Sequence, residues 1–93
     1  MADGYRVTTA VKDELKNILK NKGFKLEYVT RLNPFEEDKH LLVVICYMTN
    51  ANKVDEYTVC GYNSNTKEFC NVFGQLTLPM ALQKAVMWMR NQV

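Results

Sequence analysis

His40-Leu41-Leu42-Val43-Val44-Ile45-Cys46-Tyr47-Met48-Thr49 is the stretch whose reading decides the fold. Its apolar residues do not alternate with polar ones, so neither of its faces is suited to water. The run is rich in β-branched residues, contains no Gly or Pro, and lies between turn-forming clusters rather than helix caps. It predicts a central β-strand with apolar cover above and below.

Upstream of it, Phe24, Leu26, Tyr28 and Leu32 alternate with Lys25, Glu27 and Arg31, the pattern of a half-buried strand with the four apolar residues on one face. Asn33-Pro34-Phe35-Glu36-Glu37-Asp38-Lys39 separates the two strands with turn chemistry. Downstream, Asn50-Ala51-Asn52-Lys53 is short enough for an antiparallel hairpin. Residues 55–62 alternate again, with Tyr57 and Val59 on one face and Thr58 and Cys60 on the other. After the Asn63-Ser64-Asn65-Thr66 turn, residues 67–73 form a fourth strand. Its register is open by one residue, which leaves Cys70 facing either Val59 or Cys60.

A helix is predicted at each end of the chain. Val11, Leu15, Ile18 and Leu19 make a single apolar face, with Thr8 or Thr9 as N-cap and Gly23 as the left-handed stop. The second helix covers residues 78–91, with Thr77 as N-cap and Pro79 in its first turn. Its inward stripe reads Leu78, Leu82, Ala85, Met89 and Val93, flanked by Ala81, Val86 and Trp88. The expected fold is a single α+β domain over residues 1–93, ordered α-β-β-β-β-α. In it a four-stranded antiparallel sheet carries both helices on one face. The other face is then either polar or a meeting surface.

Composition narrows the class. The 93 residues are 47% hydrophobic and 24% charged, a globular balance, with no apolar run long enough to span a membrane. The N-terminus has no apolar signal core, so a cytoplasmic location is expected. Cys46, Cys60 and Cys70 are odd in number and have no Cys-x-x-Cys spacing, which speaks against a disulfide framework and a zinc site. The net charge of +2 divides into +3 over residues 1–32, −3 over 33–68 and +2 over 69–93.

Catalytic chemistry finds little support. His40 is the only histidine, and Cys46, six residues along the same strand, is about 20 Å away at ~3.3 Å per residue. No third residue is evident to orient a Cys–His pair. Glu36, Glu37 and Asp38 are adjacent and diverge, unlike the spaced ligands of a cation loop. No catalytic residue, cofactor or metal ligand is assigned, and the chain is expected not to be an enzyme.

Two surfaces remain. On the last helix, Met80 and Met87 stand one heptad apart on the otherwise polar side that carries Lys84, and Phe35 lies at a loop tip. Methionines in that setting make a soft, adaptable contact surface. They point to a protein-binding module, of the inhibitor, adaptor or immunity type that phages and mobile elements carry, with a foreign protein or a second copy as partner. The alternative is nucleic-acid binding by Lys12, Lys16 and Lys20, a stripe along the first helix that Lys25 and Arg31 would extend.

Overall fold

In the computed structural model, which describes residues 7–32 and 40–91, the central run is strand β2, Leu41–Thr49. Around it lie α1 (Thr9–Asn21), β1 (Lys25–Arg31), β3 (Asp55–Asn63), β4 (Glu68–Leu76) and α2 (Leu78–Arg90). The strands form one antiparallel sheet in the order β1-β2-β3-β4, each hairpin closing on its sequence neighbour. The expected α-β-β-β-β-α order and antiparallel sheet are present. Among the described residues no helix is long and apolar enough to cross a membrane.

The capping chemistry explains where the helices begin and end. Thr8 Oγ1 accepts from the Val11 amide at 3.3 Å, and Thr77 Oγ1 accepts from the Met80 amide at 3.4 Å, each taking one of the first-turn donors that has no helical acceptor. Gly23, at φ 87°, supplies the left-handed turn after α1.

The placement of the helices on one face of the sheet is corrected. They lie on opposite faces. Leu15 and Leu19 of α1 pack with Leu42, Val44, Cys46, Cys60 and Tyr62. Ala81 and Ala85 of α2 pack with Val43, Ile45 and Val59. Successive β2 residues therefore point to different helices, and Val43, Val44 and Ile45 are all fully buried at 0% exposure. This is the physical reason the run shows no alternation: each of its faces has its own helix.

A second correction concerns β1. Leu26 pairs with Cys46 and Tyr28 with Ile45, so Glu27 is an extra residue, a bulge. It breaks the period-2 rule. Phe24, Leu26 and Val29 turn toward α1, while Tyr28 and Leu32 fall on the α2 side.

The inward stripe of α2 is also rotated from the expected one. Ala81 and Ala85 are buried, Trp88 and Met89 pack beside them, and Leu82 and Val86 are exposed; Val93 lies outside the described residues. The cause lies in β3. Gly61 has no side chain, and a Cβ built there would stand 2.8 Å from Trp88 Cη2 and 2.7 Å from Cys70 Sγ. The indole occupies that space, and small alanines let the helix approach. The contact places Cys70 on the α2 side, opposite Gly61 and on the face of Val59, which settles its register.

Candidate functional site

The site is built from an edge strand and the helix that follows it. Among the described residues β4 has no partner on its outer side, and residues 70–75 are all exposed. Its register against β3 shifts twice, between Gly61 and Val59 and between Val59 and Tyr57. Asn71 (φ 50°) and Gln75 (φ 61°) adopt left-handed backbone at these places. The first bulge sets Phe73 opposite Val59, on the side of the sheet where α2 runs.

Capped at Thr77, α2 presents Met80, Lys84 and Met87 toward that strand. The two methionines are each 54% exposed and Phe73 is 40% exposed. Lys84 reaches back over the strand so that its Nζ lies 4.1 Å from the centre of the Phe73 ring. Such a cation–π contact at an exposed site contributes about 0.5–1 kcal/mol, enough to favour one lysine orientation without locking it.

Between strand and helix lie two depressions. One, of about 270 Å³, lies between Phe73, Trp88 and Asn91, and the other, of about 390 Å³, between Leu76, Met80 and Gln83. Phe73, Lys84 and Met87 line both, so the two adjoin as a trough along the β4–α2 flank that the Lys84–Phe73 contact crosses. Among the described residues Lys84 is the only charged one on its walls, and no carboxylate lines it.

Of the residues singled out from sequence, Met80, Met87 and Lys84 are brought together here. Phe35 lies outside the described residues. Phe73, Trp88 and Leu76 were not anticipated. Placing Phe73 requires the bulge at Asn71, and an asparagine, which tolerates positive φ, was the one local sign of it.

The basic surface is smaller than expected. Lys12, Lys16 and Lys20 are exposed along α1. Lys25 pairs with Tyr47, whose ring meets that of Tyr57 at 5.2 Å on the α2 side, so Lys25 lies on the other face of the sheet from α1. Arg31 is buried opposite Leu42. The five-residue stripe is thus three lysines.

On the α1 side a cavity of about 190 Å³ opens between Leu19, Phe24, Phe69 and Val72, with Cys46 and Cys60 in its floor. The two thiols interact. Hydrogen bonding with Cys46, together with burial, pushes Cys60 well up, while the same bond holds Cys46 below the usual thiol value. His40 is remote from them in register: Cys60 stands opposite Val44, and Cys70 is opposite Gly61, itself opposite Val43. Its Nδ1 lies 3.5 Å from Ser64 Oγ. Among the described residues no cluster of three or more His, Cys, Asp or Glu side chains is placed to hold a metal ion.

Comparison with protein families gave no matching model, and neither curated proteins nor solved structures gave a match.

Proposed function

We propose that this protein is a small, non-catalytic protein-binding module that acts through the β4–α2 trough, in the manner of an inhibitor, adaptor or immunity-type factor. One observation carries the reading: Phe73, Met80 and Met87, three large apolar side chains, stay exposed around a concave surface although each sheet face already carries a helix. An exposed apolar hollow in a small protein marks a contact surface. The methionines fit an adaptable contact because their unbranched thioethers repack at little cost.

The test is an affinity purification from the native host with the wild-type chain and with Met80→Glu/Met87→Glu, each checked for fold by circular dichroism. A partner or dimer held by the wild type and lost by the double variant supports the reading. Identical partners and identical mass by light scattering in the two cases sink it.

The second reading, nucleic-acid binding, draws on the three exposed lysines spaced one turn apart on α1. It requires an affinity that falls steeply with salt, each phosphate contact adding about 0.9 to the slope of log K against log salt. Unchanged affinity and slope in Lys12→Glu/Lys16→Glu remove it.

A further inference from the structure

We infer that the occupant of the trough is an amphipathic helix whose apolar stripe is bordered by a carboxylate, the acid meeting Lys84. The inference rests on the protein-binding reading above and names the chemistry of the partner.

Shape excludes a strand. An added strand needs a regular row of free amides and carbonyls. β4 instead shifts register twice and takes positive φ at Asn71 and Gln75, so its outer edge is kinked at both places. The hollow lies beside the edge, above Phe73, rather than along it. From Met80 to Asn91 its helical wall extends about 16 Å at 1.5 Å per residue. Apolar anchors at i, i+4 and i+7 of a docked helix span about 10.5 Å at the same rise, which fits within that wall.

Charge weighs against a second copy and selects an acid. A two-fold contact through the trough would bring Lys84 of each copy toward the other, with no carboxylate among the described wall residues to offset it. Residues 69–93 contain two basic side chains and no acidic one. A foreign helix with Asp or Glu beside its middle anchor meets a cation already positioned over an aromatic face.

The experiment uses the whole chain and two synthetic helical peptides. Both carry Leu at i, i+4 and i+7. One has Glu flanking the stripe, and its counterpart has Lys in the same places. Trp88, the single tryptophan, lines the trough, so its emission reports occupancy. The Glu peptide should shift the emission to the blue with saturation, and at least tenfold more tightly than the Lys peptide. Lys84→Glu should reverse the order of the two. Leu82→Glu, exposed on the far flank of α2, should change neither.

Equal binding of the two peptides, or an order that Lys84→Glu does not reverse, overturns the inference; if Met80→Glu then still abolishes both, the docking flank itself survives. Should neither peptide bind while Met87→Glu halves the mass in solution, the occupant is a second copy and the inference fails. Should neither peptide bind and the mass stay constant, the inference fails, while the protein-binding reading is decided by the host purification above.

Discussion

Trp88 lies directly over Gly61, so that a single added carbon on the glycine would come within 2.8 Å of the indole and 2.7 Å of the Cys70 sulfur. Gly61→Ala should therefore destabilise the protein by about 1–3 kcal/mol, the usual penalty for overpacking. Gly74→Ala provides the contrast, because the nearest atom to a carbon there is Thr58 Oγ1 at 3.6 Å. Denaturant melts of the two variants check this. Similar midpoints would mean that the indole gives way freely.

Val44 and Ile45 are neighbours with equal burial and different helices above them. Replacing either by Ala removes packing from a separate half of the core. Ile45→Ala should cost about 2–5 kcal/mol, and Val44→Ala, which deletes fewer atoms, somewhat less. Because the two residues are adjacent on one strand, the double variant measures how far the two halves of the core are coupled through the backbone. Urea titrations of the single and double variants read that coupling. A tolerant Ile45 would contradict the covering role of α2.

Glu14 accepts from Lys67 at 2.6 Å and from the Tyr62 hydroxyl at 3.3 Å. The Lys67 hydrogen bond, opposed by some burial, holds its carboxyl below the usual value. The stabilisation is then present above the unfolded value of about 4.3 and disappears as pH falls through the folded one. Glu14→Gln should lose this stabilisation at neutral pH and converge with the parent in acid, where the parent's carboxyl is protonated, so that the acid limb of the stability curve flattens. Burial, aided by Glu14, raises the Tyr62 phenol. Its contribution is intact below the unfolded value near 10 and is lost as pH rises beyond it. Thermal melts from pH 2 to 11 on the two chains separate these limbs.

The three thiols should react in a fixed order. Cys70 is exposed and should be modified by an aromatic disulfide reagent in the folded protein, whereas Cys46 and Cys60 are buried. Cys46 and Cys60, buried and hydrogen-bonded to each other, should follow together when the chain is loosened. Peptide mapping after timed labelling gives the order. Simultaneous reaction of all three would show that the α1 side of the core opens readily.

How much of this was legible in the sequence varied with the physics behind each signal. The two-sided burial of the Leu41–Thr49 run could be read directly, because a strand covered on both faces shows no alternation. That each face had its own helix could not, since helix periodicity says which side is apolar but not which layer it meets. The Glu27 bulge left no trace, as the residues around it alternate regularly through the extra position. The rotation of α2 depends on the space above Gly61, a contact between residues far apart in the chain. The exposed methionines were legible because a heptad spacing on a polar face needs only the helix to exist. Their neighbour Phe73 was not, for it reaches them through a backbone irregularity in β4.

Both outer strands of the sheet are interrupted, β1 by the extra residue at Glu27 and β4 by its two register breaks. Fibril growth needs a flat, uninterrupted template onto which the next chain can zip, and neither border of this molecule offers one. Deleting Asn71 would straighten part of β4 and leave Val72 and Phe73 on an open border. The shortened chain should form ribbons on concentration where the parent stays dispersed, a difference visible by thioflavin fluorescence.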